Sequence, residues 1–172
     1  MLFRSVVFDT AEAITSAFFA GRCQVYTTDM SDLAGARTKA PKADDYVILP
    51  EVISKEPLGP SVRRGDDEWF QIVRWTLFAM LEAEEDDLTQ SNVDAQKSGS
   101  KDPAVQRFLG VSEDTGKLLG LDAQWAYRIV KQVGNYGESF ERNLGPKSAV
   151  GLPRGVNNLW SKGGLMYAPP IR

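Results

Sequence analysis

The sequence has no histidine and one cysteine, Cys23, in 172 residues. Without histidine there is no imidazole base, no Ser-His-Asp or Cys-His nucleophile system and no His-ligated metal within this chain. A single thiol forms neither an intrachain disulfide nor a Cys-rich zinc site. Charge of neither sign dominates: 20 Lys and Arg face 23 Asp and Glu, a formal net charge of −3. A general nucleic-acid binder needs a basic stripe to neutralise phosphates, and this balance argues against one. No apolar run reaches the ~18 residues that a membrane-spanning helix requires. Met1–Thr10 lacks the apolar segment of about 7–15 residues and the small-residue cleavage site of a secretory leader. As it stands, the chain reads as cytoplasmic, as a mature product or as a fragment.

What is present is ordinary for a globular domain: 42% hydrophobic and 25% charged residues. The length suits one domain, or two small ones, with enough chain for a core. Val6-Val7-Phe8 reads as a short buried strand. Asp9 or Thr10 then caps a helix over Ala11–Ala20, with Gly21 as its stop. Gln24–Thr28 reads as the next strand, and strand–helix–strand order points to an α/β sheet. Ser31–Lys39 favours a second helix and Tyr46–Leu49 another strand. Val52-Ile53 and Ser61–Arg63 are strand-like pieces separated by Pro57 and Pro60. Proline donates nothing to a ladder, so this region reads as an edge or a crossover.

Asp66–Glu68 opens the longest helical pattern, where negative charge favours the helix dipole. Trp69, Ile72, Val73, Leu77, Met80 and Leu81 form one apolar stripe, and Trp75 and Phe78 lie off it, which implies burial on two sides. The run Glu82, Glu84, Glu85, Asp86 and Asp87 lacks the spacing of a calcium loop and reads as a solvated helix end. Helical patterns follow at Pro103–Leu109, from Leu121 with Asp122 as cap, at Tyr136–Asn143, and near Val156–Trp160. Trp69, Trp75, Trp125 and Trp160 read as core, and Cys23 as a small packed residue. Gly163-Gly164 has no phosphate-loop spacing around it.

Several longer strings carry a resemblance. Gly21–Asp29, Val47–Pro60, Gly65–Phe70, Val133–Glu138 and Gly163–Arg172 resemble the periplasmic amino-acid-binding proteins of ABC transporters, in the subgroup serving general L-amino-acid transport. The resemblance runs from end to end of the chain but covers only the C-terminal half of such proteins. It implies a type II periplasmic-binding-protein-like α/β fold of two lobes that close on an amino acid, here truncated. Residues 1–50 would be the second half of lobe two, 51–65 the interlobe crossover or hinge, and 66–172 a helical segment packing on lobe one. The implied setting is the periplasm, with the transporter's membrane subunits as partners.

Within that resemblance, Asp29 is the first candidate ligand residue. A carboxylate at a strand end, where open α/β sheets place ligands, would pair with the ligand's α-ammonium. The competing reading is that Asp29 caps the following helix. Thr28, and less so Thr27, would turn a hydroxyl to the cleft, or both are ordinary strand residues. Glu56 and Pro57 would lie at the hinge, or on a rigid connector. Lys55, Arg63 and Arg64 are surface cations or anion contacts. The α-carboxylate anchors would lie outside these residues, so at most half a site is expected, with weak or absent amino-acid binding. No metal and no cofactor is implied. The alternative function is an interaction module that forms a homo-oligomer, or pairs, through surface exposed by the truncation. Enzyme chemistry with Asp29, Glu51 or Glu56 as acid or base has no motif behind it, and the chain reads as a non-enzyme.

Overall fold

The structure is a computed structural model describing residues 4–172; part of the leader reading falls on the first three residues, which lie outside that range. Seven α-helices are found among the described residues: α1 (Ala11–Phe19), α2 (Met30–Thr38), α3 (Asp67–Glu85), α4 (Val93–Gly99), α5 (Pro103–Phe108), α6 (Trp125–Val133) and α7 (Tyr136–Asn143). Local chemistry accounts for most of their starts. Thr10, Asp66 and Asp102 each accept a hydrogen bond from a backbone N–H of the first turn. Asn135 and Glu138 form a reciprocal capping box at α7. The expected start at Leu121 moves to Trp125, because Asp122 spends its carboxylate on the Gln124 N–H and holds a turn before the helix.

The expected strands are absent as paired strands. Among the described residues the single β contact is an isolated bridge between Leu159 and Met166. Residues 4–8, 25–27, 46–49 and 51–53 carry no helix and no ladder. A β-rich sequence favours an extended backbone, but a strand becomes a sheet only when another strand lies beside it. None does here, so Val7, Val25, Val47 and Ile53 remain 67–90% exposed.

The core lies in the second part of the chain. Ala79 and Ala83 of α3, Val105 and Phe108 of α5, and Trp125, Ala126 and Val130 of α6 join Leu88, Val93, Leu109 and Ile171 in one buried cluster. Ala79, Ala83 and Ala126 are fully buried, and such small side chains allow close helix approach. Each large side chain buried there contributes roughly 1.5–3 kcal/mol. A second cluster, Leu81 with Leu159 and Ala168, covers another side of α3. The two-sided burial expected of α3 is thus found in its C-terminal half. Its first turns differ: Trp69 and Phe70 are exposed, as is Trp160, so two of the four tryptophans are not core. In residues 4–64 only Ala17 and Ala34 are buried.

The acidic end of α3 is solvated only in part: Glu85, Asp86 and Asp87 are exposed, and Glu82 and Glu84 are not. Arg154 donates from Nη1 and Nη2 to the two carboxylate oxygens of Glu84, both at 3.0 Å. Glu84 is 8% exposed. The same guanidinium lies over the rings of Tyr136 and Phe140 and donates to the Asn157 carbonyl. Glu85 accepts from the Trp160 indole at 2.9 Å, and Glu82 accepts from the Ile171 N–H at 2.9 Å. Three acidic side chains therefore hold three points of the C-terminal segment. A Cβ on Gly137 would come within 2.9 Å of the Glu84 carboxylate, which explains the glycine in α7.

Two outcomes follow from this clasp. Truncating Arg154 to alanine leaves the Glu84 charge buried and unpaired, and should cost about 3–5 kcal/mol in denaturant unfolding. Glu82 has its pKa raised from 4.5 to about 7, chiefly by burial, with Asp86 and Glu85 adding repulsion. Its protonated form is the one the fold favours. That contribution is complete below the unfolded value and is lost as pH rises through about 7. Glu82→Gln keeps an acceptor for Ile171, so it should match the parent at pH 4 and exceed it at pH 8. Solvent screening of a partly exposed group limits that gain to about 1–2 kcal/mol. Urea titrations at the two pH values measure it.

Candidate ligand site

The segment 25–27 carries no helix and no ladder, and it leads to Asp29 at the N-terminus of α2. Four aromatic rings shape this region. Phe18 of α1 packs on Phe19, Tyr26 and Tyr46, with centroids 5.4–5.8 Å apart. Such pairs add about 0.5–1.5 kcal/mol beyond area burial. They anchor two extended segments on one helix although no ladder joins them. Periodicity alone did not mark Tyr26 and Tyr46 as this anchor; aromatic residues within β-rich runs beside a Phe-Phe pair were the available signal.

Asp29 occupies the N-cap position of α2, and its side chain makes no capping hydrogen bond. The carboxylate is half-buried. Its backbone carbonyl accepts the Leu33 N–H at 2.9 Å, so the helix start is closed by the main chain. Thr28 is half-buried, and its hydroxyl donates over a long 3.5 Å to Asp32 Oδ2. Thr27 is exposed. Asp29, Thr28 and Asp32 therefore gather at one helix end, a geometry that suits a cationic ammonium held by charge-assisted bonds.

Glu56 and Pro57 stand apart from this group. All of residues 51–60 are exposed. The Leu58 N–H donates to the Glu56 carbonyl at 2.9 Å, closing a three-residue turn around Pro57. Among the described residues no hydrogen bond joins this turn to Asp29 or Thr28. Lys55, Arg63 and Arg64 are exposed, and the ion pairs of the described residues lie elsewhere. Cys23 is half-buried and free.

A separate open groove of about 630 Å³ is lined by Asp94, Lys97, Gln124, Tyr127 and Lys131. Its polar groups satisfy one another. Asp94 pairs with Lys131 and accepts from Tyr127, and the bond from Lys131 is the main cause holding its carboxyl below the usual range. Lys97 sits over the Tyr127 ring and donates to Gln124 at 2.8 Å. No group of three or more potential metal ligands occurs among the described residues. No helix is long and apolar enough to cross a membrane.

Comparison with known proteins gives these features a family context. No family model matches the chain. It is 52% identical over 172 residues to the general L-amino acid-binding periplasmic protein AapJ of Rhizobium johnstonii, covering 99% of this chain and 50% of that protein. It is 51% identical over 155 residues to the glutamate/glutamine/aspartate/asparagine-binding protein BztA of Rhodobacter capsulatus, covering 90% of this chain and 46% of that one. A solved ABC-transporter periplasmic binding protein from Brucella ovis with glutathione bound superposes with a TM-score of 0.92 at 50% identity, over 97% of this chain and 52% of its own. The chain is homologous to one half of the amino-acid-binding proteins of ABC transporters and has a partial type II periplasmic-binding-protein fold. It spans about half the length of the curated relatives it matches. These relatives are named as binding proteins and not as enzymes, in agreement with the sequence reading.

Asp29 and Asp66 both stand at helix starts, but only Asp66 uses its carboxylate as a cap. Asp66→Ala removes a 3.0 Å bond to the Trp69 N–H and should cost α3 about 1 kcal/mol. Asp29→Ala removes no such bond and should stay within about 0.5 kcal/mol of the parent. Thermal unfolding of the two variants gives the comparison.

Proposed function

We propose that these residues form one part of an amino-acid-binding protein serving an ABC transporter in the periplasm, with Asp29 as the anchor for the ligand's α-ammonium. The observation that carries this reading is Asp29 itself. It stands at a helix start with its carboxylate uncommitted, in a chain about half identical to named amino-acid binders throughout. Thr28 supports the same anchor, and residues 51–65 serve as the crossover between lobes, with Glu56 and Pro57 at the hinge. The ligand class is a molecule with a free α-amino acid end. The names of the relatives favour free amino acids, and the glutathione of the Brucella ovis protein has such an end as well.

The site is incomplete within these residues. A zwitterion also needs partners for its carboxylate, and the three exposed cations near the crossover, Lys55, Arg63 and Arg64, face solvent. Charge-assisted bonds contribute roughly 1.5–3 kcal/mol each. Micromolar binding requires about −8 kcal/mol in total, so one ammonium anchor falls well short. Calorimetry of the 172-residue chain with glutamate, glutamine, aspartate and arginine should give no binding tighter than about 1 mM. In the Rhizobium johnstonii relative, replacing the residue aligned with Asp29 by alanine should weaken binding at least tenfold. Micromolar binding by the isolated chain, or an indifferent substitution in the relative, contradicts the proposal.

A further inference from the structure

The segment 168–171 spans the two buried clusters that flank α3. Ala168 packs in one cluster and Ile171 in the other, each 6% exposed. Pro169 and Pro170 lie between them and have no N–H to donate. Among the described residues, 167–172 make one hydrogen bond, from the Ile171 N–H to Glu82 Oε2 at 2.9 Å. The polar tether of this segment is therefore a single carboxylate, and that carboxylate is a poor place for a charge. Glu85 and Asp86 lie three and four positions further on, on the same side of α3, and both repel it. Asp86 is itself pushed up, first by burial and then by Asp102 at the start of α5. On the facing elements, Arg107 of α5 attracts Glu82 but is engaged by Glu113 at 3.0 Å. Arg172 lines the same open recess as Arg107 and Glu113. Burial outweighs both the Ile171 bond and the Arg107 attraction, and Glu82 is raised to about 7.

We propose that Glu82 and the segment 168–171 form a proton-operated latch: a protonated Glu82 keeps the segment docked on α3, and an ionised Glu82 releases it locally while the helical core stays folded. The docked segment shields Glu82 from water and returns one N–H donor. The ionised carboxylate accepts that bond more strongly, but one bond does not replace the water that burial removes. Once the segment lifts, water reaches the carboxylate and its pKa falls toward the ordinary 4.5. Opening therefore releases a proton, so docking is fully favoured below about 4.5 and is weakened as pH rises through about 7. Release is confined to this segment because the next contacts upstream do not depend on Glu82. Arg154 engages both oxygens of Glu84, and Glu85 holds the Trp160 indole. The latch is independent of the assignment of Asp29.

The test is amide hydrogen exchange of the 172-residue chain at pH 5 and pH 8, read by NMR. Each rate is divided into the random-coil rate at the same pH, which removes the catalysis common to all amides and leaves a protection factor. Protection of the Ile171 amide should fall about tenfold or more from pH 5 to pH 8. At pH 8 it should also lie about tenfold or more below that of Val130, which is fully buried in α6 and reports global unfolding. Glu82→Gln keeps an acceptor for the Ile171 N–H but has no proton to lose, so the fall should vanish. Asp86→Asn leaves the bond untouched and removes one repelling charge, so the fall should shrink about twofold or more. Ile171 protection that does not change with pH would overturn the proposal. So would either variant showing the parent's fall, or Ile171 protection equal to that of Val130, which would mean that the segment opens only when the whole core does.

Discussion

The described structure depends on one ion pair at the end of its longest helix. Glu84 and Arg154 meet through two parallel hydrogen bonds in a site closed by Tyr136, Phe140 and Gly137. A bidentate pair fixes direction as well as distance. It therefore fixes where the C-terminal segment crosses α3. The Trp160–Glu85 and Ile171–Glu82 bonds continue the same line of contacts. Around this clasp, α3 can bury two sides, one under α6 and α5 and the other under Leu159 and Ala168. A chain end that would otherwise fray becomes part of the core through Ile171.

That core divides the chain physically. Both buried apolar clusters are built from residues from α3 onward. Residues 4–64 fold locally into two short helices but leave their β-rich segments extended. The division parallels the proposed function. A two-lobed binder keeps its ligand between parts that must be completed by the rest of the fold, and closure is useful only if the ligand's contacts are shared between them. The carboxylate of Asp29, which caps nothing, stands among these unpaired segments.

Helices were far more legible in the sequence than sheet. Thr10, Asp66 and the apolar stripe of α3 are local signals, and local hydrogen bonds turn them into structure. The strand readings at 6–8, 24–28 and 46–49 identified segments with the right propensity. Pairing is non-local, however, and these segments have no partner among the described residues. In the acidic run at 82–87, Glu85, Asp86 and Asp87 are exposed as expected, and Glu82 and Glu84 depart from that reading for a related reason. A solvated end and a clasp have the same composition, and only Arg154, 70 positions away from Glu84, distinguishes them. Asp29 was legible as a candidate because a resemblance pointed to it. The structure adds that its carboxylate is not used as a cap. Pro57 and Pro60 marked an edge or crossover; the structure shows a turn at Glu56–Leu58 that no hydrogen bond among the described residues ties to Asp29.

The central claim is that a buried helical core and unpaired β-rich segments stand side by side in the described residues. Backbone hydrogen exchange of the isolated 172-residue chain tests it most directly. The account predicts slow exchange in α3, α6 and α7, set by global unfolding, and exchange near the random-coil rate at 24–28 and 47–55. Comparable protection in those extended segments would show that they already pair, and would contradict it.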